Sequence, residues 1–311
     1  MNSDQFLTSD DDDKNMTYNT KVTDYGNGIV EIVRRNRNSK KMKEGYRLSE
    51  AELELRRNAI LNADKSEEAQ KARTQAQHFQ IKKRLKNKIL CNDFDWFVTF
   101  TFDDSHKQVL DSKDYDCVKK LLSNWCSYMR KLNGGQFNWV FIPELHPTSG
   151  RFHWHGLLQD IDIFEFQEAI NPKTNQSIIR DGRPVYNLNN WKFGFSDCQR
   201  LTNDEHKEKI SSYVSKYITK SLSEVTTSSM YKKPRYISAR GMKQPDVTYI
   251  TTDENEYAHL SPTLAIIDKT EVGNSLDLAI YKQHIDPETG LDTTISVDSV
   301  YKLKEEVTPW T

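Results

Sequence analysis

Arg151-Phe152-His153-Trp154-His155-Gly156-Leu157-Leu158 is the stretch on which the reading of this chain turns. Side chains alternate across a β-strand. As a strand, the octapeptide sends His153 and His155 to one side and Phe152, Trp154 and Leu158 to the other. The apolar side can be buried, which leaves two imidazoles converging on open space. Paired imidazoles suit a divalent metal, and two ligands leave its shell incomplete. Residues 137–145 are rich in aromatic and β-branched side chains and predict a second strand, while Pro147-Thr148-Ser149-Gly150 predicts the turn that joins it to the first. The hairpin so formed carries Glu144 back alongside His153. Glu144 is therefore the favoured third ligand and His146 the reserve. The simpler alternative is a half-buried hairpin whose histidines bond their neighbours, and for one isolated histidine it would prevail.

The 311 residues are enough for one large domain or for a core domain with appendages. A composition 36% hydrophobic and 29% charged, with a mean hydropathy of -0.78, describes a soluble protein with long polar segments. No apolar run approaches the roughly 18 residues that a membrane helix needs. The N-terminus is acidic and lacks an apolar core, so it does not read as a secretory signal. Cys91, Cys117, Cys126 and Cys198 are scattered, with no pair spaced for zinc, which points to a reducing cytoplasm and no disulfide framework. The net charge is -1, so a nucleic-acid role must rest on local basic patches.

Residues 1–20 read as a disordered tail in which aspartates 10–13 precede Lys14, a pattern that also has the form of an engineered protease site. A short strand at 28–33 and a basic segment at 34–43 follow. Ser49 with Glu52 has the form of a capping box, and few breakers occur before Asn92, so one long helix is expected there. Its second half carries Lys71, Arg73, Lys82, Lys83, Arg84, Lys86 and Lys88. Alone this is a solvated helical face; beside a nuclease-like site it becomes a phosphate-binding surface. Residues 94–102 predict a scaffolding strand with Trp96, Val98, Phe100 and Phe102 on one face and Thr99 and Thr101 on the other. Residues 111–132 predict an amphipathic helix with the stripe Val118, Leu121, Leu122, Trp125, Met129 and Leu132, closed by Gly134-Gly135. Residues 160–200 read as an irregular insertion ending in a short pattern at 191–195. This order predicts an α+β sheet with helices packed on one face.

Thr202 with Glu205 is another capping-box pattern, and the helix it opens should run to about Leu222. It contains Tyr213-Val214-Ser215-Lys216-Tyr217-Ile218-Thr219-Lys220. At about 100° per residue, Ile210, Val214, Ile218 and Leu222 form the buried stripe, with the two tyrosines beside it about 40° apart. Lys220 falls within about 20° of Tyr213, and Lys216 sits at the same edge. Interface tyrosines with solvated lysines are the plain alternative. Lys232, Lys233, Arg235 and Arg240 follow, interleaved with Tyr231 and Tyr236, a mixture suited to single-stranded nucleic acid. The chain divides into a polar, largely disordered segment at 1–48, a basic helical region at 49–92, a core domain at 93–246 and a C-terminal extension of unassigned role at 247–311.

A hydrophobic strand, His-x-His and a doubled Tyr-x-x-Lys, in that order, resemble the HUH endonuclease superfamily, U being the bulky residue between the histidines. Within it, tyrosines four apart on one helix look like the rolling-circle replication initiators of small single-stranded DNA phages and their plasmid relatives. The resemblance spans roughly residues 80–245. It implies an antiparallel RRM-like or ferredoxin-like sheet with the histidines on a central strand and the tyrosine helix above them. It also implies Mg²⁺ or Mn²⁺ held by Glu144, His153 and His155, although imidazoles would suit zinc too. Tyr213 and Tyr217 become nucleophiles. Lys216 and Lys220 would favour the phenolate, whose ordinary pKa is about 10, or bind phosphate oxygens.

The implied product is a 5′-phosphotyrosine with a free 3′-OH that primes synthesis, followed by rejoining without ATP. Single-stranded origin DNA would be held by Arg73, Lys82, Lys83, Arg84, Arg151, Lys232, Lys233 and Arg235. No Gly-x-x-x-x-Gly-Lys-[Ser/Thr] stretch is present, so a host helicase and DNA polymerase in the cytoplasm of a bacterial cell are the implied partners, with no membrane. The same strand transfer would serve a two-tyrosine transposase or a relaxase, although relaxases commonly place their tyrosines before the histidines. A non-catalytic DNA-binding regulator that retains the fold is the alternative of another class.

Overall fold

The computed structural model describes residues 14–201, 207–223, 232–253, 255–257, 259–270, 273–286, 289, 291–293 and 299–303. The expected tail at 1–13, the Thr202–Glu205 cap and Tyr231 lie outside the described residues. The elements are β1 (Asn15–Asp24), β2 (Ile29–Met42), α1 (Glu50–Leu61), α2 (Glu67–Cys91), β3 (Trp96–Phe100), α3 (Tyr115–Leu132), β4 (Trp139–Leu145) and β5 (Phe152–Leu158). They continue with β6 (Phe166–Glu168), β7 (Ile179–Arg180), β8 (Arg183–Pro184), β9 (Tyr186–Leu188), β10 (Ser196–Arg200) and α4 (Lys207–Ser223). Last come β11 (Ile237–Ser238), β12 (Asp246–Ile250), β13 (Leu264–Thr270), β14 (Gly273–His284) and β15 (Val300–Leu303). The fold is α+β with antiparallel-rich sheets, in two compact units: residues 1–79 with 245–311, and residues 80–244. No described helix is long and apolar enough to cross a membrane.

The first unit departs from expectation. The short strand expected at 28–33 is present but longer, Ile29–Met42, and with Asn15–Asp24, read as polar and largely disordered, it lies inside a six-stranded sheet of order β12-β1-β2-β14-β13-β15. Their partners are remote: Thr20 lies opposite Ile250, and Val33 opposite Ile280. Short-range patterning carries no trace of such pairing, and Ile32 is buried in a cluster with Ala279 and Tyr281, against which Val22, Val30, Tyr257 and Leu260 pack. The single helix expected over 49–92 is two. Ser49 and Glu52 do make the reciprocal capping box that opens α1. The chain then breaks at 62–66, where Asp64 Oδ1 accepts from the Ser66 amide (2.8 Å) and Ser66 Oγ accepts from the Ala69 amide (3.2 Å), restarting the helix as α2.

In the second unit, seven antiparallel strands run in the order β11-β4-β5-β3-β10-β9-β6, with β5 between β4 and β3. On the underside, Phe152, Trp154 and Leu158 of β5 join Trp96, Val98 and Phe100 of β3, over Val118, Leu122, Trp125 and Met129 of α3. The opposite face is apolar at one end only, where Val140, Leu157 and Phe97 meet Leu85 and Ile89 of α2 and Val214, Ile218 and Leu222 of α4. Helices therefore cover both faces rather than one. The second layer stops where β5 changes from Leu157 to His155. The insertion at 160–200 is also more ordered than expected. Its polar segment Ser196–Arg200 is strand β10, paired to β3 with Asp197 opposite Thr99, whereas 191–195 forms no strand.

Gly156 fixes the spacing of the central strands. A Cβ there would stand 2.2 Å from the Val140 carbonyl oxygen and 2.4 Å from the Phe141 ring. Gly156→Val should therefore destabilise the protein by at least about 2 kcal/mol. Urea unfolding followed by tryptophan fluorescence checks this, and an unchanged midpoint would contradict the close packing.

Candidate metal and tyrosine site

The β4–β5 hairpin turns as expected, with Gly150 at φ 67° and its amide donating to the His146 carbonyl at 2.9 Å. Phe152 and Trp154 are fully buried, so the alternation presents His153 and His155, both half-buried, on the other face. Glu144 lies directly opposite His153 in register. Its carboxylate reaches diagonally instead, and Oε2 accepts from His155 Nε2 at 2.7 Å. Thr99 Oγ1, on the neighbouring strand, is 2.9 Å from His155 Nδ1 and fixes the other side of the ring. Lys220 reaches down from α4 to make an ion pair with Glu144.

These contacts set the protonation states. The hydrogen bond from His155, reinforced by Lys220, holds the Glu144 carboxyl at about 2, against the opposing cost of burial. Burial, helped by the neighbouring His155 and His146, lowers the proton affinity of His153, which leaves a neutral imidazole. His146, the reserve ligand, points Nδ1 at the amides of Thr148 (3.3 Å) and Ser149 (3.2 Å), so its ring braces the turn, 5.4 Å from that of His153.

Helix α4 places its tyrosines over this cluster. The buried stripe is Val214, Ile218 and Leu222, with Ile210 partly covered, as the periodicity predicts. Tyr217 stacks on His155, ring centroids 4.2 Å apart and planes 27° apart. Its hydroxyl is 3.0 Å from that of Tyr213, which is more exposed, at 42%. Phe97 supports both rings, at 5.0 Å from Tyr213 and 5.6 Å from Tyr217. One lysine stays by the phenols and the other turns to the carboxylate. Lys216 lies over the Tyr213 ring at 5.6 Å, but Lys220 is held by Glu144 rather than by a phenol. Burial first, then the bond to Tyr213 and the charge of Glu144, pushes the Tyr217 phenol well above its ordinary value.

Among the described residues, no three His, Cys, Asp or Glu side chains already surround one point as a ready coordination shell. The donor set nonetheless fits a divalent cation. The carboxylate and two imidazoles share one face, one of them is kept neutral by burial, and Thr99 can take the Nδ1 hydrogen when Nε2 is needed as a ligand. Thr99 and Phe97 are the functional neighbours that the sequence reading passed over. Their signal was in the strand, since alternation puts them on the face opposite Val98.

The basic residues are dispersed. Arg73 belongs to the first unit, where Nε donates to the Ala69 carbonyl at 3.1 Å. Lys82, Lys83 and Arg84 lie on the part of α2 within the second unit. Arg151 makes an ion pair with Asp104 at 2.9 Å, and Lys233 makes one with Asp116. Lys232 is exposed, and Arg235 is half-buried beside Tyr115.

Residues 95–222 match a family of replication-associated proteins, that of the ORF2 type. The match begins at β3 and ends within the last turn of α4, so it takes in the histidine hairpin and both tyrosines. The likeness supports a protein of the replication-initiator type. No curated protein and no solved structure matches.

The Glu144 arrangement has a pH signature. A carboxyl whose folded value lies below its unfolded one contributes stability above the unfolded value, here 4.5, and loses it as pH falls towards about 2. Without added divalent cation, Glu144→Gln should lower the urea midpoint at pH 7, and its deficit should shrink between pH 4.5 and pH 2. A deficit independent of pH would contradict the assigned contacts.

Proposed function

We propose that this chain is a rolling-circle replication initiator that nicks single-stranded origin DNA by tyrosine transesterification and rejoins the ends at termination. The observation that carries this reading is the stacking of Tyr217 on His155, with the Tyr213 hydroxyl 3.0 Å from that of Tyr217. Two phenols thus stand together against the carboxylate and imidazole cluster. The likeness to replication-associated proteins over the same residues supports it from a second direction.

Glu144, His153 and His155 would hold Mg²⁺ or Mn²⁺, which supplies polarisation of the scissile phosphate and draws off charge that develops on its oxygens. The protein supplies the rest. Thr99 and Phe97 fix the ring planes of His155 and the tyrosines, so the attacking oxygen is presented in a set direction. A tyrosine oxygen attacks phosphorus, the 3′ oxygen leaves, and the bond energy is kept as a 5′-phosphotyrosine. Partial burial and the contact with Tyr213 raise the proton affinity of the Tyr217 phenol, and the positive field of a loaded site would offset this. Two phenols on adjacent turns allow one to hold a 5′ end while the other cuts the regenerated origin.

With labelled single-stranded origin DNA and Mn²⁺ or Mg²⁺, the wild-type chain should become covalently attached to the DNA. Tyr213→Phe combined with Tyr217→Phe should abolish the attachment; attachment that survives in the double variant refutes the nucleophile assignment. His153→Ala should cut the cleavage rate by at least about 100-fold while leaving DNA binding intact. Cleavage at the wild-type rate would remove the metal site. Binding should weaken steeply with salt, with a log–log slope of roughly -0.7 per phosphate contacted. A flat dependence would reject the basic surfaces.

A further inference from the structure

A cleft of about 340 Å³ opens beside Tyr213. Its floor is apolar, formed by Phe97 and Leu157 of the sheet. Its rim is polar and mixed in sign: the β7–β8 hairpin contributes Asp181 and Arg183, β10 contributes Gln199, and α4 contributes Lys209, Ser212 and Lys216. The volume is at the lower end for small-molecule sites, room for one nucleotide and too little for a base pair.

The rim groups have definite hydrogen-bonding roles. Gln199 is 6% exposed, and its amide nitrogen donates to the Arg180 carbonyl at 2.9 Å. That bond uses one hydrogen of the amide, so Gln199 still offers its carbonyl oxygen as an acceptor and its second N–H as a donor. Asp181 is an acceptor as well. It sits at φ 50° in the two-residue Asp181-Gly182 turn, Gly182 being at 74°, and Arg180 beside it is tied to Asp197 at 2.7 Å, so the hairpin backbone that carries it is anchored at the rim. Arg183 and Lys216 are donors only. Asp181 and Gln199 thus supply acceptors, Arg183, Lys209 and Lys216 supply cationic donors, and Ser212 can do either, around an apolar floor with a tyrosine wall.

We propose that this cleft receives one unstacked base of the strand, adjacent to the phosphate at the tyrosines, and selects guanine. The inference rests on the nicking reading above and names the substrate feature read there. A flipped or single-stranded base stacks on apolar and aromatic walls and is read along its edges. Guanine is the base that presents N1–H and N2–H donors on one edge and the O6 and N7 acceptors on the next. A carboxylate and a carbonyl meet the first edge, and the arginine and lysine meet the second. Adenine and cytosine offer one amino group each, and thymine offers none. Because Tyr213 is shared between the cleft and the tyrosine pair, the base in the cleft belongs to a nucleotide flanking the cut.

The test uses the full chain, Mn²⁺ and a pool of single-stranded oligonucleotides randomised over their centre. DNA that becomes covalently attached, and the released 3′-OH fragments, are sequenced. Guanine should be enriched at least about tenfold at one position within two nucleotides of the join. Asp181→Asn, on an exposed turn, should bring that enrichment below about threefold while the base preferences at the other positions are kept. A join with no guanine preference, enrichment of another base, or a preference that Asp181→Asn leaves unchanged overturns the cleft assignment while the nicking reading stands. A second measurement covers the case of no covalent product, which would sink the nicking reading. The metal-free chain is titrated with guanosine, adenosine, cytidine and thymidine 5′-monophosphates. Guanosine monophosphate binding at least about tenfold tighter than the others, and losing that margin in Asp181→Asn, upholds the cleft by itself. Four nucleotides that bind alike, or none that binds, overturn it.

Discussion

The alternation of side chains along β5 is the constraint from which the rest of the second unit follows. Phe152 and Trp154 are completely enclosed between the sheet and α3, so the residues between and beyond them have to face the other way. A slip of one residue would bury the imidazoles and expose two large aromatic rings, at a cost of several kcal/mol. Gly156 guards against such a shift, because only a residue without a side chain lets β4 approach this closely. The positions of His153 and His155 are thus a consequence of packing on the far side of the sheet.

What makes that face a site is its incomplete cover. The apolar end around Val140, Leu157 and Phe97 draws α2 and α4 onto it, and the layer stops where histidines and Glu144 begin. The tyrosines stand at this margin, buried enough for Tyr217 to stack on His155 and exposed enough for Tyr213 to meet solvent. A buried carboxylate needs partners, and Glu144 has two, one from the sheet and one from the helix above. The Glu144–Lys220 pair therefore also ties α4 to the hairpin. Lys220 is consequently engaged with the carboxylate.

Local rules reached far into this unit. The period-two pattern at 152–158, the turn at 147–150 and the 3.6-residue stripe of α4 all concern neighbours within a few residues, where steric and hydrophobic preferences act directly on the chain. The stripe of α3 and its closing Gly134 were legible for the same reason. Polar strands were not. Ser196–Arg200 has no β-branched or aromatic residue, yet it is held between β3 and β9 by partners about 100 and 10 residues distant respectively, of which Val98 and Tyr186 face Cys198. The strand at 15–24 and the extension of the expected 28–33 strand to Met42 escaped notice likewise, since their stabilising neighbours arrive from residues 246–284.

The sequence by itself determined that two imidazoles share one strand face, that a carboxylate returns beside them, and that two phenols ride the edge of one helix. Each follows from the geometry of a single element or one tight turn. Only the tertiary structure decided that Glu144 bonds His155 and not the facing His153, that Lys220 joins the carboxylate, that Thr99 and Phe97 hold the rings, and that a cleft opens beside Tyr213. Those outcomes depend on how α4 and the β7–β8 hairpin settle on the sheet. That choice is made by burial summed over many distant residues, and no short stretch of chain encodes it.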